Sequence, residues 1–332
     1  MTEVDTSRPL AGRRAWLVTD GKIGMDVQVQ GVADALGLVA QMQHVNPTGL
    51  HRLLAPWVPP SSRDGIGTGG PLSPPWPPIV LATGRLSIPT LRAIRRHAGH
   101  ATYTVILQDP KTGQNSADLI WVPAHDRLRG ANVITTPTAP HSFTQARLAK
   151  LRARMPPEIA ALPSPRVAVM LGGRSGDYPF SDACHAQFAW GLRSMALLGA
   201  SFMITPSRRT HPDLLAAVDV ATASNPRILW TGEGSNPYPD FLAQADVLIT
   251  TADSVNMASE AAATGRPVYV FMPAGGTPKF NRFHTALRDS GATRPLPDHL
   301  TAFETWDYTP LDAGRQIAVE IERRWLLKRA TI

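Results

Sequence analysis

What most constrains this chain is a rhythm: strand signals alternate with helix signals in two successive runs, parted by a proline-bearing joint. In the first run RAWLVT (Arg14 to Thr19), IVLAT (Ile79 to Thr83), YTVIL (Tyr103 to Leu107) and DLIWV (Asp118 to Val122) read as strands. Helical stretches at Asp26 to Leu36 and Pro89 to Ala98 fall between them. Met155 to Pro165 carries several prolines and reads as a linker. The second run restarts with RVAVML (Arg166 to Leu171), a helix over Ser181 to Leu198, then SFMIT, RILWT (Arg227 to Thr231), DVLIT and PVYVFM. Parallel strands cannot be joined by a tight hairpin, so this grammar predicts parallel sheets wound by right-handed crossovers. The expectation is an α/β protein of two Rossmann-like domains facing a cleft. The first covers residues 1–155, with a Pro/Gly-rich surface insertion at 56–78, and the second covers residues 164–310. Residues 311–332 hold a last helix, Gly314 to Arg329, expected to pack back across the domains. A chain of 332 residues is long enough for two cores.

Several function classes fall away. Cys184 is the one cysteine, which excludes a disulfide framework and a cysteine zinc site and leaves a packed thiol. The net charge of +7 favours anionic partners, but the cations are scattered. No basic stripe interleaved with aromatics appears, so nucleic acid is not an expected partner. No apolar run reaches the roughly 18 residues that a membrane span needs. Met1 to Gly12 lacks the apolar core of a signal peptide, so the expected location is cytoplasmic. A peripheral contact with the inner face of the membrane is a further expectation from the tail, IAVEIERRWLLKRATI. There Ile317, Ile321 and Trp325 share a helical face with Arg323, Arg324, Lys328 and Arg329 nearby. The alternative for that tail is a terminal helix packed on its own protein. The ten histidines show no H-x-x-x-H or H-E-x-x-H spacing and no D-x-D precedes a suitable loop, so no metal and no cofactor are expected. Gly65 to Gly70 fits G-x-G-x-x-G literally but lies inside the proline-rich insertion, without the strand and helix that a dinucleotide site needs.

Ligands of open α/β sheets sit at the carboxyl ends of strands, against helix N-termini, and that rule selects the loops to read. Gly172, Gly173, Arg174, Ser175 and Gly176 follow a strand. Glycines there would let main-chain amides approach a phosphate, with Arg174 adding charge; the alternative is an ordinary tight turn. Thr205, Ser207, Arg208 and Arg209 make a second such loop, read either as phosphate contacts or as a solvated basic turn. Thr251, Asp253 and Ser254 make a third. Asp253 or Ser254 is suited to N-cap the helix whose second turn holds Glu260 among Ala258, Ser259 and Ala261. In the first domain the matching loop is Asp20, Gly21, Lys22, Ile23 and Gly24, with Gln28 following. Lys22 would contact a phosphate or acceptor and Asp20 would act as a base, against the alternative of a glycine-rich turn. Asp109 and His125 also follow strands and stand as alternative general bases or as structural hydrogen-bonders.

NPYPDFLAQADVLITTADSVNMASEAAATGRPVYVF and the following KFNRFHTALRDSGATRPL resemble the plant mitochondrial-fission factor family of the elongated-mitochondria type and its bacterial relatives. VTDGKIGMDVQVQGVADALG, LQDPKTGQNSADLIWVPAHD and LGGRSGDY extend the resemblance over most of the chain. More distantly the pattern is similar to the N-acetylglucosaminyltransferase that completes the peptidoglycan lipid precursor. The resemblance implies a GT-B-like fold whose C-terminal domain holds a nucleotide-diphosphate sugar without a metal. By position, Gly173 to Ser175 would then meet phosphate, Thr251 to Ser254 phosphate or sugar, and Glu260 the ribose, with Lys279 and Arg282 near the cleft. A lipid or envelope-glycan acceptor would lie on the N-terminal domain with the base. Two competing readings stand beside it, a non-catalytic membrane-surface adaptor like the plant members and a nucleotide-sugar epimerase that needs the same cleft but no acceptor.

Overall fold

A computed structural model describes residues 8–67 and 69–330. The signal-peptide reading of the first seven residues, Thr68 of the rejected glycine motif and the tail's Thr331 and Ile332 lie outside the described residues. The chain divides into two compact units, Met1–Thr144 together with Asp312–Ile332, and Gln145–Leu311.

The elements run β1 (Arg14–Thr19), α1 (Ile23–Leu36), β2 (Val39–His44), α2 (Gly49–Leu54), β3 (Ile79–Ala82), α3 (Ile88–Ala98), β4 (Tyr103–Ile106), β5 (Leu119–Pro123) and β6 (Val133–Thr136). They continue α4 (Gln145–Ala153), α5 (Pro157–Ala160), β7 (Arg166–Leu171), α6 (Asp182–Leu197), β8 (Ser201–Pro206), α7 (Pro212–Thr222), β9 (Arg227–Leu229) and α8 (Tyr238–Gln244). Last come β10 (Val247–Thr251), α9 (Val255–Ala262), β11 (Val268–Phe271), α10 (Pro278–Asp289), β12 (Thr293–Pro295) and α11 (Ala313–Ala330).

In the first unit a six-stranded sheet has the order β2-β1-β3-β4-β5-β6, with every pair parallel. The apolar tetrapeptides of β3 and β4 are buried throughout, as strands covered on both faces must be. The edge strand β2 is half polar and buries none of its six residues fully, so it has little apolar signature. The insertion at 56–78 is not a free surface loop. Leu72 and Asp64 are buried, Thr90 donates to Asp64 at 2.7 Å, and Trp76 stacks near His97 on α3. α11 returns to this unit and packs on α1, burying Ile317, Ile321 and Trp325. Each fully buried isoleucine contributes about 1.5–3 kcal/mol. Gly31 of α1 permits a close approach, since a Cβ there would sit 2.4 Å from the His141 carbonyl oxygen. The tail's apolar face is therefore used inside the fold, and of its cations Arg323 and Arg324 pair with Glu320 and Lys328 with Asp118. The tail thus takes the packed alternative, and its apolar stripe is not presented to lipid.

The second unit carries a six-stranded parallel sheet ordered β12-β11-β10-β7-β8-β9. It begins with α4, inside the stretch read above as first domain. α4 is held here because Arg152 donates to the carbonyls of Ala243 and Thr264, Gln145 donates to Ala263, and Gln244 donates to Leu151. Cys184 is buried in α6. Among the described residues no helix is long and apolar enough to cross a membrane.

Candidate functional site

At the carboxyl edge of the second sheet, the loops after β7, β8 and β10 meet. The Gly172 amide donates to Thr251 Oγ1 at 2.9 Å, and the Gly173 amide to Asp253 Oδ2 at 3.1 Å. Thr251 Oγ1 donates to Asp253 Oδ1 at 2.6 Å. Arg209 pairs with Asp253 at 2.7 Å, and the Asp253 side chain is wholly buried. Thr210 Oγ1 lies within hydrogen-bonding reach of the Leu171 and Gly172 carbonyls, at 3.0 and 2.7 Å. Both glycines are required by this lattice. A Cβ on Gly172 would lie 2.1 Å from Asp253 Oδ1, and one on Gly173 1.9 Å from the Arg209 carbonyl oxygen.

This corrects part of the sequence reading. The Gly172 and Gly173 amides are engaged by Thr251 and Asp253, so they are closed to a phosphate, and Thr251 and Asp253 act as struts. Arg209 is a strut as well, since a buried carboxylate needs a paired cation. Ser175 closes its own turn by accepting from Asp177 and Tyr178, Ser207 bonds within its turn to Thr210, and Thr205 is buried in β8. Ser254 caps α9, accepting from the Met257 amide at 3.3 Å. What the lattice leaves outward is Arg174 and Arg208, both exposed and with no hydrogen-bond or ion-pair partner among the described residues. The first-turn amides of Val255 and Asn256 have no carbonyl partner within α9, as at any helix start. Lys279 and Arg282 are exposed on α10.

Glu260 lies in the second turn of α9 and is almost completely buried, where the Tyr238 hydroxyl donates to it. Burial pushes its carboxyl up to about 7, against the lowering effects of the Tyr238 hydrogen bond and the Arg147 charge. The Tyr238 hydroxyl is held well above its ordinary value, chiefly by burial and then by Glu260. Near the lattice, Tyr178 is buried with no hydrogen-bond partner for its hydroxyl among the described residues, and burial and then the Asp253 charge raise its pKa. Gly275 and Gly276, both at positive φ, lie over Tyr178; the Gly276 amide donates to the Asp177 carbonyl at 2.6 Å. His284 is buried, and that burial holds its pKa below the ordinary histidine value; its Nε2 lies 2.9 Å from the Ala252 carbonyl oxygen. Sequence reasoning missed Tyr238, Tyr178 and His284, which carry no local motif.

In the first unit the carboxyl-edge loops bring Asp20, Lys22 and Gly84 together. Asp20 pairs with Lys22 at 2.8 Å; its side chain is 1% exposed and its Oδ1 has no hydrogen-bond partner among the described residues. A Cβ on Gly84 would touch that carboxylate at 3.1 Å, and Gln108 accepts from the Gly84 amide. Gly21, at positive φ, donates to Thr19 Oγ1, while Gly24 and Gln28 lie on α1. Asp26 and His44, not singled out by sequence, lie 3.2 Å apart, and Thr19 donates to Asp26 at 2.5 Å. Asp109 is a poor base. Burial alone would raise its pKa, but hydrogen bonds from the Lys111 amide and ammonium outweigh it and hold the carboxylate below its ordinary value. His125 is buried in the turn after β5.

A sequence profile described as Mitochondrial fission ELM1 matches residues 23–325. The chain is 30% identical over 271 residues to the mitochondrial fission protein ELM1 of Arabidopsis thaliana, covering 74% of this chain and 64% of that relative. Among solved structures, the UDP-GlcNAc 2-epimerase of Methanocaldococcus jannaschii, in complex with UDP-GlcNAc and UDP, superposes with a TM-score of 0.53 at 10% identity, over 95% of this chain and 99% of that one. The spinosyn forosaminyltransferase superposes with a TM-score of 0.50 at 12% identity, over 96% and 94% of the two chains. These likenesses establish the GT-B type of fold, two Rossmann-like domains.

Proposed function

The chain belongs to the mitochondrial fission ELM1 family, and from that premise we propose that it binds a nucleotide-diphosphate sugar on its second unit and transfers the sugar to an acceptor held on its first. The observation that carries the reading is the stitched lattice at the carboxyl edge of the second sheet, from which Arg174 and Arg208 project unpaired. Two guanidiniums on the loops that meet the one leading into α9 suit a diphosphate, which carries fixed negative charge and arrays of acceptor oxygens. Glu260, with Tyr238 beside it, would accept from the ribose hydroxyls, as acidic residues do in nucleotide-binding sheets. The bound UDP-GlcNAc of the epimerase supports the ligand class, on a fold shared with this chain.

In the proposed reaction an acceptor hydroxyl attacks the anomeric carbon, forming a new glycosidic C–O bond as the bond to the diphosphate breaks. The acceptor proton passes to a carboxylate, for which Asp20 with its unpartnered Oδ1 is the strongest choice. Arg174, Arg208 and the amides of α9 would neutralise the departing diphosphate, an electrostatic contribution to the barrier. The acceptor is a lipid or envelope glycan in this reading. Isothermal titration of the full chain with UDP-, GDP-, ADP- and CMP-sugars tests it. One nucleotide class should bind, about tenfold more weakly after Arg174→Gln or Arg208→Gln. Silence from all four would overturn it, and NMR of the products separates transfer from epimerisation.

A further inference from the structure

The first unit has a concavity at the opposite edge of its sheet from Asp20 and Lys22. Its lining comes from the C-terminal turns of α3, from the segment just before β5, and from α11. The cavity measures about 400 Å³ and is faced by Arg92, Arg95, Arg96 and Lys328, with Asp118 as its one acid. From these residues we infer that the cavity is a binding site for a phosphate-bearing anion of two or more charges.

Asp118 does not balance the cations. It is already paired with Arg95 at 3.3 Å and with Lys328 at 3.1 Å, and it accepts from the Thr104 amide and hydroxyl. Arg92 reaches only the Pro56 carbonyl, at 3.5 Å, and Arg96 has no hydrogen-bond or ion-pair partner among the described residues. Arg92 and Arg96 stand four apart on α3, a like-charge spacing that disfavours the helix. Cations in a last helical turn do complement the helix dipole, which accounts for Arg95 and Arg96. Arg92 lies deeper in the helix, outside that turn. Arg92, held only by one long bond to a carbonyl, and the unpaired Arg96 flank the paired Arg95, and the Lys328 ammonium lines the same recess; an incoming phosphate would relieve their repulsion. Its size falls in the small-ligand range of about 300–1,000 Å³. The site is independent of the donor reading, because every lining residue belongs to the first unit.

The test titrates inorganic pyrophosphate into the full chain at low ionic strength. Flotation with phosphatidylcholine vesicles, with and without phosphatidic acid, then separates a soluble phosphate from a lipid headgroup. Arg92→Gln/Arg96→Gln is compared with Arg174→Gln/Arg208→Gln, an equal change of net charge in the other unit. The α3 pair should lose a binding event that the second pair keeps, by about tenfold per arginine. Loss with pyrophosphate alone marks a soluble ligand, and loss with phosphatidic acid vesicles marks a headgroup. The inference is overturned if the α3 pair binds like the wild type, if both pairs weaken one event equally, or if the wild type binds neither probe. Arg96→Gln alone serves if the double variant does not fold, since Arg96 is exposed and has no hydrogen-bond or ion-pair partner among the described residues.

Discussion

Glu260 shows how one side chain can work against stability and for binding. The unfolded chain releases this proton near 4.5 and the folded one near 7. Its contribution is therefore most favourable below the unfolded value and declines as pH rises towards and through about 7. Glu260→Gln should remove that loss, raising stability at pH 8 by roughly 1–3 kcal/mol in denaturant melts and flattening its pH dependence. The same variant should bind the nucleotide sugar about tenfold more weakly. A merely structural carboxyl would not produce that opposition. Gly173 sets a different limit, because a methyl group there collides with the main chain of Arg209. Gly173→Ala should lower stability by about 1–3 kcal/mol, read from the same melts.

At the scale of elements, the lattice divides two adjacent arginines. Arg209→Gln removes the cation paired with the buried Asp253 carboxylate, which keeps its bonds from Gly173 and Thr251, and should destabilise the second unit by about 1–3 kcal/mol. Arg208→Gln should leave the melting curve within about 0.5 kcal/mol of the parent. That difference was not legible in the sequence, where both arginines read as equivalent members of a basic turn. The bonds that separate their roles join residues far apart in the chain, such as Gly173 and Asp253. Strands β1 and β7 were legible from end to end, because central strands buried on both faces are continuous apolar runs. Strands β2, β6 and β12 were not, being short or half-polar edges. Helix α10 did carry a signal, Thr277 as cap followed by Pro278, but its charged first turns obscured it. The loops of the candidate site followed from strand ends alone, whereas the orientation of their amides depended on tertiary pairing.

For the whole molecule, α11 is the element to remove. A chain ending before Ala313 would expose the α1 surface that Ile317, Ile321 and Trp325 cover. Its first unit should lose its cooperative melting transition and become the preferred substrate of limited proteolysis, while the second unit keeps its own transition. Charge acts on the same helix. Arg323 and then Arg324 hold Glu320 down to about 2, despite some burial. That contribution is present above about 4.5 and is lost as acid titrates the carboxylate through its folded value. Glu320 is half-buried but its first partner, Arg323, is exposed, so its share is small, about 1 kcal/mol or less.

The return of α11 also orders events during translation. The ribosome makes the six strands of the first sheet, then the entire second unit, and only afterwards the helix that closes the first. A nascent chain can thus finish its later half before its earlier one, and the α1 surface stays open to chaperones throughout that interval.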